Sequence, residues 1–170
     1  MSHKNVLAVD FGASSGRVML GNFDGNRLSI QEIHRFPNDP VILNGTMYWD
    51  FLRLFYEVKQ GLMKAKKYGK IDSIGLDTWG VDFGLIDKEG NLLENPVHYR
   101  DARTAGMLEK SFGKMDKDRF YQITGSQFME INTVFQLLAL LEKRPGLLEG
   151  TSRLLLMPDL FNYYLCGAQV

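Results

Sequence analysis

Asp10 stands directly before Phe11-Gly12-Ala13-Ser14-Ser15-Gly16-Arg17, an acid followed by a turn of glycine, alanine and serine. Backbone amides of such a turn can form a concave anion site, with the hydroxyls of Ser14 and Ser15 as extra donors. Gly12 and Gly16 supply conformational freedom and close approach for a ligand. An acid at the end of the preceding strand can hold a hydrated magnesium ion, which prefers oxygen ligands. Together they match the needs of nucleotide phosphates with their metal. The same residues also serve simply as a turn between two strands. Neither Walker spacing nor a dinucleotide fingerprint is present, which excludes the usual strand-to-helix phosphate loop.

Two further stretches carry chemistry. In Asp77-Thr78-Trp79-Gly80-Val81-Asp82, Trp79 offers a flat apolar face for the C–H face of a sugar, and one indole donor. Gly80 lets the backbone reach sugar hydroxyls. The competing reading makes Trp79 core and Asp82 a turn or surface acid. In Tyr99-Arg100-Asp101-Ala102-Arg103-Thr104, Asp101 can cap a helix, and the two arginines can orient acids or ligand oxygens. His3, His34 and His98 are scattered, and a turn, strand or loop position accounts for each.

The elements that must hold these residues follow from periodicity. Apolar runs on either side of the first turn predict a hairpin, and Asp24-Gly25-Asn26 predicts a second turn leading to a third antiparallel strand over 27–36. Prolines and Asn44-Gly45 mark 37–47 as loop. Asp50 then caps a helix whose apolar face is Phe51, Leu54, Phe55, Val58, Leu62 and Ala65, stopped at Gly69. A buried strand follows over 71–77, and this strand–helix–strand order implies a crossover onto the same sheet. Residues 83–87 and 92–97 flank Lys88-Glu89-Gly90-Asn91 as a second hairpin. Helical segments are expected near 102–112, 116–123 and 132–143, the last ended by Pro145. A short strand over 154–157 precedes a helix with Pro158 in its first turn. The loop after strand 71–77 lies where open α/β sheets bind ligands.

Composition bounds the rest. A chain of 170 residues can bury one good core, and 45% hydrophobic with 24% charged residues is ordinary for a globular domain. Twenty basic and twenty acidic residues balance, so nothing advertises a nucleic-acid or anionic-membrane surface. Cys166 is alone, and no run approaches the ~20 apolar residues of a membrane span. Met1-Ser2-His3-Lys4-Asn5 leads into the first strand without a signal-peptide h-region, and a cytoplasmic setting is expected. Oligomeric state is not encoded in any of this.

Asp-Phe-Gly-Ala-Ser-Ser-Gly-Arg resembles the first phosphate loop of the sugar-kinase, actin and heat-shock chaperone ATPase superfamily. With Asp-Thr-Trp-Gly-Val-Asp-Phe and Tyr-Arg-Asp-Ala-Arg-Thr in this order and spacing, the chain resembles the rhamnulokinase branch of the FGGY carbohydrate kinases. Tyr121-Gln122-Ile123-Thr124-Gly125, Asn132-Thr133 and Leu155-Leu156-Met157-Pro158-Asp159 extend the likeness over nearly the whole chain. It implies an α/β, ribonuclease H-like (actin-like ATPase) N-terminal domain, its mixed sheet opening with three antiparallel strands and incomplete at the C-terminus. Residues 1–170 would be part of that domain, without the second one.

By the same resemblance, Ala13, Ser14, Ser15, Gly16 and Arg17 form the ATP-phosphate loop, Asp10 acts through Mg2+, and Gly80 contacts the sugar. Asp77, Trp79, Tyr99 and Asp101 neighbour that pocket. The implied reaction passes the γ-phosphoryl of ATP to the 1-hydroxyl of L-rhamnulose. Partners are then a small ketose and ATP, with no nucleic acid and no membrane. The aspartate base is expected beyond Val170 and adenine mainly on the second domain, so the chain alone is expected to be inactive. Another FGGY ketose or polyol kinase, or a non-catalytic sugar-binding module, are the competing readings.

Overall fold

A computed structural model describes residues 3–167. The expectations resting on Met1-Ser2 and on Ala168-Gln169-Val170 lie outside the described residues. In chain order the elements are β1 (Lys4–Phe11), β2 (Ser15–Phe23), β3 (Leu28–Pro37), β4 (Val41–Leu43), β5 (Thr46–Tyr48) and α1 (Phe51–Ala65). A 3₁₀ turn (Lys66–Tyr68) leads to β6 (Ser73–Asp77) and β7 (Phe83–Ile86). A second 3₁₀ turn (Ala102–Thr104) precedes α2 (Met107–Phe112), α3 (Lys117–Thr124), α4 (Thr133–Lys143), α5 (Pro145–Glu149), β8 (Arg153–Leu156) and α6 (Met157–Cys166). Among the described residues they form two compact units: 3–41, 49–80 and 157–167 in the first, 42–48 and 81–156 in the second.

The first unit is built on a mixed sheet of order β3-β2-β1-β6. β1 pairs antiparallel with β2, β2 antiparallel with β3, and β6 parallel with β1, as the strand–helix–strand order implied. Alternation along β1 and β2 buries Leu7, Val9, Phe11, Val18 and Leu20 on one face. That side belongs to α1 and α6, which bury Phe51, Leu54, Val58 and Ala65 and Met157, Leu160 and Phe161 respectively. Gly61 sits mid-helix because a Cβ there would lie 2.4 Å from Val18 Cγ2. Asp50 caps α1 as expected, accepting from Arg53 N. α1 is pinned to β3 by buried Glu57, which meets His34 Nε2 at 2.7 Å and Arg53 at 2.5 Å. Burial pushes the Glu57 pKa up, but the hydrogen bonds from His34 and Arg53 hold it below its ordinary value.

Two expectations need correction here. The stretch 37–47 is not all loop, since β4 and β5 form a small two-stranded ribbon. Asn44 (φ 49°) and Gly45 (φ 77°) give the positive-φ pair that a tight hairpin turn demands. β6 is not a buried strand either. It is an edge strand, and Ile74 is 49% exposed.

The second unit gathers the remaining elements around two apolar clusters. Met107, Phe120, Phe135 and Ala139 form one, with Leu108, Phe112, Phe128 and Leu138 against it. Phe83, Leu85 and Leu140 form the other. β7 pairs antiparallel with β8. The expected hairpin over 83–97 is reduced to a turn and a single bridge, Ile86 to Leu92. The helix expected over 102–112 is interrupted, because Gly106 takes φ 75° and α2 starts only after it. Pro145 both closes the stretch after α4 and opens α5, its missing N–H being harmless in a first turn.

Candidate functional site

Within the first unit, Asp10 is the penultimate residue of β1, and Gly12–Ser14 form the turn into β2. Gly12 N donates to Ser15 O at 2.9 Å, closing the turn. Asn38, buried just past β3, braces it from beneath. Its backbone N donates to Ser14 O (3.1 Å) and its Nδ2 to Gly12 O (2.8 Å). A trans peptide points its N–H opposite to its C=O. Tying down the carbonyls of Gly12 and Ser14 therefore aims the amides of Ala13 and Ser15 away from the brace, on a turn whose residues 12–14 are exposed. The sequence reading gave Asn38 no part in this turn. Its only signal was its place directly after Pro37.

Gly12 and Gly16 do not take positive φ, contrary to the freedom assigned to them. Gly16 is needed for close approach of a different kind. A Cβ on it would lie 2.3 Å from the Phe36 ring, so it is fixed by packing and buried. Arg35 Nη1 donates to Ser15 Oγ at 3.3 Å, placing a cation beside the turn.

Arg17 stands opposite Asp10 in the β1–β2 register and binds its Oδ2 through Nε (2.7 Å) and Nη2 (2.6 Å). Asp77 stands opposite Asp10 on the other side, across the parallel β1–β6 pair. Directly paired residues share a sheet face, so Arg17, Asp10 and Asp77 form a row at the β1 and β6 C-terminal ends. Both aspartates keep solvent access. A site of one or two carboxylates completed by phosphate oxygens and water is the usual way a protein takes Mg2+. Among the described residues no group of three or more His, Cys, Asp or Glu could hold a metal ion.

The loop leaving β6 carries Trp79 and Gly80. Trp79 is half-buried, neither enclosed core nor free surface. Its ring stacks on Trp49 at 3.9 Å and 27°, and meets Phe11 at 6.2 Å and 86°. Its Nε1 is buried with no acceptor among the described residues. Gly80 is exposed, and a Cβ there would meet nothing within 4 Å.

Tyr99 and Asp101 belong to the second unit. Asp82, read as a turn or surface acid or part of a sugar loop, is fully buried. It accepts from Tyr99 N (3.1 Å) and from Gln136 Nε2 (2.8 Å). Gln136 Oε1 in turn accepts from Arg103 Nη2 at 2.6 Å, so an amide links a buried acid to a base. Burial lowers the Arg103 pKa, with Asp101 and Asp82 acting against that shift. Asp101 caps the 3₁₀ turn through Arg103 N (2.9 Å) and also accepts from Met47 N (2.8 Å). Tyr99 lies against His98, and Arg100 lies over the Tyr99 ring. His98, given no role by sequence, is buried and accepts Arg100 N at Nδ1. Desolvation, then the Arg100 charge, push its pKa down to about 4, with Asp101 opposing.

The family model for the FGGY family of carbohydrate kinases, N-terminal domain, matches residues 5–170. The chain belongs to the FGGY family of carbohydrate kinases. This FGGY chain is 43% identical over 165 residues to a rhamnulokinase of Oceanobacillus iheyensis, covering 96% of the chain and 35% of that relative. It thus spans about a third of the length of the curated relative it matches. Among solved structures it is similar to xylulose kinase from Lactobacillus acidophilus, with TM-score 0.83 and 16% identity, covering 96% of the chain and 34% of that structure. Plasmodium falciparum glycerol kinase with ADP follows at TM-score 0.70 and 18% identity, covering 95% and 33%. At such identity these two show the fold alone, the actin-like ATPase fold of FGGY kinases. Among the described residues no helix is long and apolar enough to cross a membrane.

Proposed function

We propose that this chain carries the phosphate-loop and sugar-loop residues of an ATP-dependent kinase that phosphorylates the 1-hydroxyl of L-rhamnulose. What carries the reading is one juxtaposition. The open Gly12–Ser14 turn with Asp10, and the Trp79–Gly80 loop, leave neighbouring parallel strands at their C-terminal ends, where open α/β sheets bind ligands. The choice of L-rhamnulose rests on the 43% identity to a rhamnulokinase.

In this reading ATP supplies the phosphoryl group and magnesium offsets the phosphate charge. The residues at hand suit both. The Ala13 and Ser15 amides, the Ser14 and Ser15 hydroxyls and the Arg17 guanidinium bind phosphate oxygens. Asp10 is the carboxylate toward the metal's water shell, and Arg17 holds its orientation. Trp79 packs against the sugar's C–H face, and Gly80 gives room for its hydroxyls. A cytoplasmic setting, where ATP is available, goes with this reading.

Calorimetric titration of the chain with L-rhamnulose, D-xylulose and Mg-ATP tests it. L-rhamnulose is expected to bind more tightly than D-xylulose, and Mg-ATP to bind with a dependence on Asp10. Preference for D-xylulose would move the chain to another ketose kinase, and no sugar binding at all would sink the sugar loop.

A further inference from the structure

We infer that Trp49 is a positioning residue for the sugar platform, the flat backing that sets the plane of Trp79 and leaves only its opposite face to a sugar. This rests on the reading of Trp79 as a sugar contact and adds a residue to it. Trp79 has little of its own to fix it. It lies in a loop outside any strand or helix, where Thr78 Oγ1 donates to its carbonyl oxygen at 2.8 Å. Trp49, in contrast, is fully buried and directly precedes the Asp50 cap of α1. Its carbonyl accepts Phe51 N at 3.0 Å, so its backbone is tied to the helix start. A ring that is fully buried in a close-packed setting has one rotamer available. Near-parallel stacking at 3.9 Å then transfers that rigidity to Trp79. Phe11, nearly perpendicular to Trp79, limits rotation about the stacking axis.

The consequence is a one-sided platform. Trp49 occupies one indole face, so a furanose or open-chain ketose can pack on the other face only. Holding the indole in place beforehand removes an ordering cost from sugar binding. A planar residue at 49 is therefore required for sugar affinity, while filling the volume alone is not enough.

Trp49 and Trp79 are the two tryptophans of the chain, so their stack can be read directly. The test uses the full 170-residue chain with L-rhamnulose as probe, at a temperature well below thermal unfolding. Wild type should show an exciton couplet in the far-ultraviolet circular dichroism and a fluorescence change on adding the sugar. Trp49→Met, which fills space without a plane, should bind L-rhamnulose roughly 3- to 10-fold more weakly. Trp49→Phe should restore affinity to within about twofold of wild type although it, too, lowers the unfolding temperature. A purely structural role would move the unfolding temperature in both variants and affinity in neither. Wild-type affinity in Trp49→Met overturns the inference, as does the absence of a couplet in wild type should that variant fail to fold. Trp79→Ala separates the two layers. If it binds L-rhamnulose normally, the platform reading itself fails. If it binds weakly while Trp49→Met binds normally, only the role of Trp49 fails.

Discussion

Gly80 is where a single methyl group separates a ligand effect from a folding effect. A Cβ there meets no protein atom within 4 Å, so Gly80→Ala should leave the unfolding temperature unchanged. If a sugar approaches that backbone, the same methyl should weaken its binding by about 1–3 kcal/mol, as overpacking does. Unchanged L-rhamnulose affinity would remove Gly80 from the site. Asp10→Asn makes the complementary case. Its ion pair with Arg17 is part-exposed and so worth at most ~1 kcal/mol to stability. Loss of Mg-ATP binding should be larger, ~1.5–3 kcal/mol for a charge-assisted contact, and equal Mg-ATP titrations for the two proteins would refute the assignment. His98 gives a pH dependence of definite sign. Its folded pKa of about 4 lies below the ordinary 6.5, so the unfolded chain binds the extra proton first. Its contribution is complete above about pH 6.5 and is lost as pH falls toward 4. Thermal midpoints of wild type and His98→Gln should therefore converge on acidification across that window, and parallel curves would count against it. At this scale the sequence singled out Asp10, the turn and Trp79 as candidates because of their types and local spacing. Asp82, His98 and Asn38 were not legible, since their partners lie far away in the chain and burial leaves no local mark.

Elements were legible where the signal was local. The opening hairpin, the Asp24-Gly25-Asn26 turn and the Asp50-capped helix follow from periodicity and turn chemistry, and stand within a residue or two of expectation. Exposure of β6 was not legible, because an apolar run looks the same at a sheet edge and in its middle. The partner of β7 was hidden for a related reason. A hairpin with its near neighbour satisfied the local pattern, while the observed pairing is with β8, late in the chain. Gly16 shows how element packing constrains the turn between β1 and β2. Gly16→Ala would drive a methyl into the Phe36 ring, itself 2% exposed and set edge-on to Phe11. Destabilisation of about 1–3 kcal/mol is expected, read as a lower urea midpoint with an unchanged slope. A midpoint equal to wild type would mean that β3 yields easily and that Gly16 has a ligand role instead.

For the whole molecule, the question is whether any acid within these 170 residues can serve as the base of phosphoryl transfer. General-base catalysis needs a carboxylate within hydrogen-bond reach of the attacking hydroxyl, and contributes typically ~10²–10⁴-fold. Asp82 is fully buried, its two oxygens held by Tyr99 N and Gln136. Asp101 is 8% exposed, its two oxygens held by Arg103 N and Met47 N. Freeing either would leave at least one backbone donor unpaired, Tyr99 N for Asp82 and Arg103 N or Met47 N for Asp101, at about 1–3 kcal/mol each. Asp10 has its Oδ2 engaged by both Nε and Nη2 of Arg17. Among the acids of the candidate stretches Asp77 remains, exposed at the end of β6 and facing the Asp10 row, a position better suited to phosphate and metal than to a sugar hydroxyl. The expected outcome is that the 170-residue chain shows no L-rhamnulose-dependent ADP release in a coupled assay, even where calorimetry shows that it binds the sugar. Release at an enzyme-like rate would place a base within this chain. Loss of that rate in Asp77→Asn, with sugar affinity retained, would then identify Asp77 as the base.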